Sequence, residues 1–280
     1  MASYPELAGK VALITGAGRD EGIGAAIARR LAAEGCRVVV TDVAPDAPTA
    51  AARSTVDEAD TIDAIADGIR SSGGEALALT CDVLNEQSVR EAVAGAVAQF
   101  GALDILVNNA GIGFLMSPIV ETDAGDWDRV LGVNLRGAFL ATKHAARRMI
   151  EQKRGGRIVN VASQAAKSGF PFAAAYCSSK HGMVGLTRVS AIELGPHDIT
   201  VNAICPNHIT TGLGAWQNEF FSDALGMSHG EYMAAMRSRI PLGRPGLTAD
   251  IANASAYLCS DDAVYVTGEA INVSGGEEMH

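Results

Sequence analysis

The sequence predicts an α/β protein: a doubly wound parallel sheet with helices on both faces. Three observations predict it. Short apolar runs of strand length alternate with helix-period segments from residue 11 almost to the end of the 280 residues, a pattern that requires crossover connections between parallel strands. Six small or polar residues (Thr15, Asp42, Asp82, Asn108, Ser163 and Pro206) close successive strands, and the carboxyl ends of such strands form the rim where these sheets hold ligands. A glycine-rich stretch, 15–24, joins the first strand to the first helix. Neither a linker nor an internal repeat divides the chain, so one domain over 1–280 is expected.

The elements follow in order. Val11-Ala12-Leu13-Ile14 is the first strand, and Ile23, Ile27 and Leu31 give the following helix its buried stripe before Gly35 stops it. Val38-Val39-Val40 is the second strand, ending at Thr41-Asp42. Residues 44–54, rich in Ala and Pro, read as a loop. Thr55 and Glu58 form a capping box for a helix carrying Ile62, Ile65 and Ile69, which ends at Gly73-Gly74. A third strand spans 76–83, a helix 89–100, and a fourth strand 103–107 runs into Asn108-Asn109-Ala110-Gly111. A long helix over roughly 126–152 leads to a fifth strand, 157–162, and then to a helix with Tyr176 and Lys180. The sixth strand covers 199–205. A mixed segment reaches about Gly246, and a helix over 249–260 and a strand over 270–273 close the chain.

Composition bounds the function. Apolar residues make up 48%, enough for a sizeable core, and charged residues only 19%, which argues against disorder. The net charge of −10 without a basic stripe argues against nucleic acid and anionic membranes as partners. No apolar run reaches a membrane-spanning length of ~18 residues, and the start carries no apolar signal segment. Cys36, Cys81, Cys177, Cys205 and Cys259 form no C-x-x-C and no cluster with histidines. They read as reduced thiols of a cytoplasmic protein, with neither a disulfide frame nor a metal site.

The chemistry centres on Ser163 to Lys180. Tyr176 and Lys180, four apart, share one face of a helix. An ammonium beside a phenol favours the phenolate, so the lysine is expected to lower the tyrosine pKa toward neutrality. Ser163, at a strand end, offers a hydroxyl to the phenol. Together they make a proton-transfer site for an alcohol or carbonyl, although Y-x-x-x-K alone favours a buried tyrosine, a snorkelling lysine and a loop serine. The glycine stretch brings backbone close to a pyrophosphate at a helix N-terminus, or is simply a tight turn. Asp42, 18 residues past Gly24, can accept from a ribose diol and repel a 2′-phosphate. Val43 supplies no compensating cation, and Asp20 and Glu21 add negative charge.

With these pieces in view, the chain resembles the short-chain dehydrogenase/reductase (SDR) family from Lys10 to about Gly276. The resemblance rests on T-G…G-I-G at 15–24, Asp82-Val83, N-N-A-G at 108–111, Asn134 in V-N-L-R-G, Ser163, Tyr176 and Lys180. P-L-G-R at 241–244, Y-V-T-G at 265–268, and Pro206 with Thr211 add to it. It implies a Rossmann-like fold and an NAD-dependent oxidoreductase that interconverts a secondary alcohol and a ketone. It further implies that Tyr176 is the general acid/base, that Ser163 holds the substrate oxygen, that Lys180 binds the nicotinamide ribose, and that Asn134 positions a water. The dinucleotide would be held by Gly16, Arg19, Gly22, Ile23, Gly24 and Asp42, by Asp82 and Val83, and by Asn109, Ala110 and Gly111. Tyr176, Lys180, Pro206, Ile209 and Thr211 complete that set.

Departures from the family pattern are specific. The glycine loop, G-x5-G-x-G, is two residues longer than usual and resembles that of the divergent enoyl reductases. Those separate Tyr and Lys more widely than here. The long stretch after Asp42 resembles an insertion in carveol-dehydrogenase-like members. Asn207 stands where Gly is usual, and Ser274 where Asp is common.

The lid expected over about 212–246 carries Leu213, Trp216, Phe220, Phe221, Leu225, Met227, Tyr232, Met233 and Met236. It suits an apolar ketone or alcohol, or else it is helical core or a subunit contact. Gln164, Asn207 and His208 keep a polyol or sugar in view beside Trp216 and Phe221 as substrate residues; 3-oxoacyl or enoyl reduction is a further alternative. Ser178, Gly182 and Gly185 permit close packing of the catalytic helix, and the family pattern implies a homotetramer.

Overall fold

Short runs rich in Val, Ile and Leu form strands, those in the middle of the sheet buried on both faces and the edge strands only partly. In the computed structural model, which describes residues 4–44, 61–113 and 115–279, these are β1 (Val11–Ile14), β2 (Arg37–Asp42), β3 (Glu75–Thr80), β4 (Ile105–Asn108), β5 (Gly156–Val161), β6 (Ile199–Pro206) and β7 (Ala270–Val273). They form one seven-stranded sheet in the order β3-β2-β1-β4-β5-β6-β7, parallel at every pairing. The strand order reverses between β1 and β4, so the crevice above those two strands is the expected ligand position.

The described helices are α1 (Ile23–Ala33), α2 (Ile62–Ser71), α3 (Glu86–Phe100), α4 (Ala124–Leu131), α5 (Gly137–Gln152), α6 (Ala174–Leu194), α7 (Gly212–Ala224), α8 (His229–Arg239) and α9 (Thr248–Cys259). Alternation along the strands builds two cores. Ile14, Val40 and Val107 face Ile27 and Leu31 of α1 and Ile251 of α9. Leu13, Val39 and Leu106 face Val89 of α3 and Leu140 and Met149 of α5. Each of these side chains is fully or almost fully buried, and each contributes about 1.5–3 kcal/mol by leaving water.

Several boundaries differ from the sequence reading. The loop at 45–54 and the capping box at Thr55 and Glu58 lie outside the described residues, as does the Leu213 side chain. The cap of α2 is Thr61, whose hydroxyl accepts from Ala64 N at 3.1 Å. Strand β3 stops at Thr80 because Asp82 turns the chain, its Oδ1 accepting from Leu84 N at 2.9 Å. The helix expected over 126–152 is α4 and α5 joined by a π turn, Gly132–Arg136. The mixed segment after Pro206 is largely helical. Four glycines between 212 and 230 masked that period.

Candidate active site

The glycine loop is stitched to the end of β4. Asn109 Nδ2 donates to the carbonyls of Thr15 and Gly16 at 3.0 and 2.7 Å, and Thr15 Oγ1 accepts from the amides of Asn109 and Ala110, both at 3.1 Å. Gly16 is left-handed (φ 66°), and a Cβ there would stand 2.5 Å from Ala110 Cα. Any side chain at this position would push the two strand ends apart. Asp42, at the tip of β2, holds the other side of the loop: its carboxylate accepts from Gly18 N at 2.9 Å and from Val43 N at 2.8 Å. Gly22 caps α1 without a side chain, so the helix N-terminus keeps backbone donors for an anion. A bare cradle, an open helix end and a carboxylate beside them fit a dinucleotide with an unphosphorylated ribose. Asp20 forms an ion pair with Arg29.

On the far side of the crevice, β5 ends at Val161 and Ser163 follows in extended backbone, its Oγ accepting from Ala165 N at 3.1 Å. Helix α6 starts at Ala174, which sets Tyr176 and Lys180 on its first two turns. Ser163 and Tyr176 line one cavity, and the Ser163 hydroxyl is the neighbour that favours the ionised phenol. Lys180 is buried, donates from Nζ to Val161 O at 2.9 Å, and lies 5.7 Å from the centroid of the Tyr176 ring. Burial pulls the lysine down to about 8. Tyr176 moves opposite to expectation: loss of solvent pushes the phenol up, and the Ser163 hydroxyl offsets this only in part. The ammonium is turned to a backbone carbonyl, and its own charge is disfavoured by burial, so it does not lower the phenol in this geometry.

Asn134 lies in the π turn and is fully buried. Its Oδ1 accepts from Ile112 N at 2.8 Å; its Nδ2 donates to Ile112 O and to Ser179 Oγ, both at 3.0 Å. Ser179 Oγ in turn donates to Tyr176 O at 2.7 Å. The extra residue of a π turn re-aims a side chain, and here the amide ties the loop after β4 to the first turn of α6.

One cavity of about 1570 Å³ gathers nearly all of the anticipated residues, from Gly16, Arg19, Gly22, Ile23 and Asp42 through Asp82, Val83 and Asn109 to Gly111. It continues past Ser163, Gln164, Tyr176 and Lys180 to Pro206, Asn207, His208, Ile209, Thr211, Trp216 and Phe221. This exceeds the usual span of a small-molecule pocket and leaves space for a second molecule beside a dinucleotide. Gly24 and Asn134 do not line it. A Cβ at Gly24 would come within 2.5 Å of Asn109 Nδ2, so that glycine serves close packing.

The segment expected to form a lid divides its apolar side chains. Trp216 stacks on Phe220 at 5.4 Å, and Phe220 meets Phe172 and Phe221 edge-on. Tyr232, Met236 and Ile240 form a small core with Phe221, Met227 and Met233 packed on it, while Leu225 is exposed.

Sequence reasoning missed several residues. Ser179 was hidden in Y-C-S-S-K. Gly113 escaped notice, yet a Cβ there would sit 3.1 Å from the Tyr176 ring. Glu277 and Glu278, just past the last strand, carried no local signal. They fold back over the cavity, where Glu277 meets Asn207, His208 and Arg239. Glu278 Oε1 accepts from Gln164 Nε2 at 2.5 Å and from Ser168 Oγ at 2.6 Å.

Comparison with known proteins agrees with this geometry. The family model described as enoyl-(acyl carrier protein) reductase matches residues 16–278. A short-chain dehydrogenase/reductase of Armillaria gallica is 39% identical, over 99% of this chain and 98% of its own length. Among solved structures, a variant of actinorhodin polyketide ketoreductase with NADPH aligns over 100% of both chains at 36% identity and a TM-score of 0.87. NAD+-bound xylitol dehydrogenase aligns over 97% of this chain and 100% of its own at 34% identity and a TM-score of 0.86. A parallel sheet with a glycine cradle at its switch point, a Ser-Tyr-Lys cluster across the crevice and these matches lead to one assignment: the chain belongs to the short-chain dehydrogenase/reductase family of NAD(P)-dependent oxidoreductases.

Proposed function

We propose that this chain, acting as one dinucleotide-binding unit over 1–280, is an NAD(H)-dependent dehydrogenase. It interconverts a secondary alcohol and its ketone, with Tyr176 as general acid/base. The observation that carries this reading is that Ser163, Tyr176 and Lys180 line the same cavity as the glycine cradle. The dinucleotide, when bound, supplies the hydride acceptor or donor. Ser163 orients the substrate oxygen toward the phenol, and Tyr176 takes its proton on oxidation and returns it on reduction. Lys180, one turn on, binds the nicotinamide ribose. Asn134 and Ser179 fix the start of α6, and with it the phenol. NAD is favoured over NADP because the Asp42 carboxylate, held by Gly18 N, occupies the strand-end position where a 2′-phosphate would meet negative charge. The five cysteines carry no disulfide, in keeping with a reducing cytoplasm. Among the described residues no helix is long and apolar enough to cross a membrane.

Dinucleotide reduction followed at 340 nm (~340 nm being the reduced nicotinamide band) across secondary alcohols, with both cofactors, tests the proposal. The expected result is a kcat/KM at least about tenfold higher with NAD, a gap of ~1.4 kcal/mol. Tyr176→Phe should lower kcat by about a hundredfold or more with dinucleotide affinity retained. Equal use of NADP, or full turnover in the Phe variant, refutes the corresponding part.

A further inference from the structure

The tail after β7 is built to return over the site. Gly275 and Gly276 are both left-handed, at φ 66° and 93°, which residues with a Cβ rarely adopt. Ser274, where the family pattern has Asp, closes the turn. Its Oγ donates to Glu278 O at 3.1 Å and accepts from Glu278 N at 3.3 Å. Leu242 N donates to Gly275 O at 3.1 Å, anchoring the turn to the segment behind α8. The result brings a carboxylate, Glu277, into the wall of the cavity that holds Tyr176.

Its partners are unequal. Asn207 Nδ2 donates to Oε2, so the asparagine that replaces the family's usual glycine orients the acid. Arg239 Nε lies 3.3 Å from Oε1, but its side chain is 60% exposed against 13% for Glu277, and an ion pair with one partner in water is weak. His208 Nε2, at 3.9 Å, is beyond hydrogen-bond reach. A carboxylate accepts about four hydrogen bonds and donates none, so acceptor capacity remains on the cavity side. A remote hydroxyl is the donor that such an acceptor selects. The apolar side chains that would favour a hydrocarbon are in large part committed to one another within the lid.

We propose that Glu277 is a specificity-determining residue that accepts a hydrogen bond from a hydroxyl remote from the reacting carbon, making polyols the preferred substrate class. The inference rests on the dehydrogenase reading above. A site that hydrogen-bonds a substrate hydroxyl discriminates strongly against the analogue that lacks it.

The test compares xylitol with 2-pentanol as probes in the full chain with NAD+, by steady-state kinetics and by calorimetric titration of xylitol. Wild type should favour xylitol. Glu277→Gln and Glu277→Leu should each reduce the xylitol-to-pentanol ratio of kcat/KM by about tenfold or more, through KM, and weaken xylitol binding in step. Circular dichroism verifies that the variants fold. Arg239→Ala, which removes the exposed guanidinium but keeps the acid, should retain the xylitol preference. If Arg239→Ala reproduces the Glu277 variants, the acid is a structural tie and the proposal is overturned. If both probes lose activity equally, or wild type neither binds nor oxidises xylitol while oxidising 2-pentanol, the polyol inference falls and the dehydrogenase reading stands. If no alcohol is oxidised, both fall.

Discussion

Lys180 joins catalysis to a stability cost. The drop from 10.5 to about 8 corresponds to about 3 kcal/mol against the charged form; its bond to Val161 O returns about 1 kcal/mol. Lys180→Met should therefore stabilise the cofactor-free protein by about 2 kcal/mol at pH 7 while impairing turnover, as measured by urea unfolding and by rate. The folded pKa lies below the unfolded one, so the penalty is fully present below about pH 8 and fades as the pH rises toward 10.5. The variant's advantage should shrink across that window. A variant that is less stable at pH 7 would mean that Val161 O and the packing around the chain outweigh desolvation. Tyr176 and Lys180 were legible in the sequence because their spacing is local and helix-periodic, and Ser163 because it closes a strand. The direction of the tyrosine shift was not, since it depends on which way the ammonium turns, and the carbonyl of Val161, the last residue of β5, decides that.

Among elements, the lid separates into two parts. In α7 the large apolar side chains Trp216, Phe220 and Phe221 are only partly buried, whereas α8 buries Tyr232 and Met236 and starts with a capping box from Ser228 to Glu231. Opening free energies follow local burial, so α7 is the segment to move and α8 its anchor. Gly226, left-handed at φ 64°, is the joint between them. Gly214 is no hinge, because a Cβ there would stand 2.2 Å from Ile209 O. Amide hydrogen exchange should be fast across 214–224 and slow across 232–239 in the apoprotein. Dinucleotide plus substrate should slow only the first, and Trp216→Ala should raise KM without lowering Tm by more than a degree or two. Uniformly slow exchange makes the whole segment fixed core. The strands and α1 were readable because their apolar period is unbroken. Helices α7 and α8 were not, since glycines interrupt the period and their partners lie in each other rather than in the sheet. Glu277 was harder still, as its partners stand about 38 to 70 residues away.

For the whole molecule, two sets of exposed apolar side chains bear on assembly, among others such as Ile119, Val120 and Leu225. Val189 and Ile192 on α6 join Phe139 on α5, exposed by 54%, 77% and 46%. Gly185, with open space where a Cβ would stand, continues the α6 stripe, while Gly182 is occupied internally by Leu135. The second set is Leu242, Leu247, Val264 and Tyr265, the last wholly exposed. Exposed apolar side chains on packed helices are the kind of surface that contacts between chains cover, and two isologous contacts on one chain close into a four-subunit assembly. We therefore propose a homotetramer, about 116 kDa from four chains of 28.9 kDa, and light scattering at micromolar concentration measures it. Ile192→Asp should halve that mass by disabling one face alone. A wild-type mass of one chain would refute the assembly.

The two ends of the described chain leave from opposite poles. Tyr4 donates its amide to Glu34 at 2.8 Å and Gly9 N donates to Gly35 O at 2.8 Å, below the amino ends of the strands. Met279, 81% exposed, follows the two glutamates at the mouth of the crevice. Whatever is fused beyond it, whether an affinity tag, a reporter or a tether to a resin, starts within two residues of the wall of the cavity. A fusion ahead of Tyr4 hangs from the floor. For anyone purifying, immobilising or coupling this enzyme, the choice of end is a choice about access.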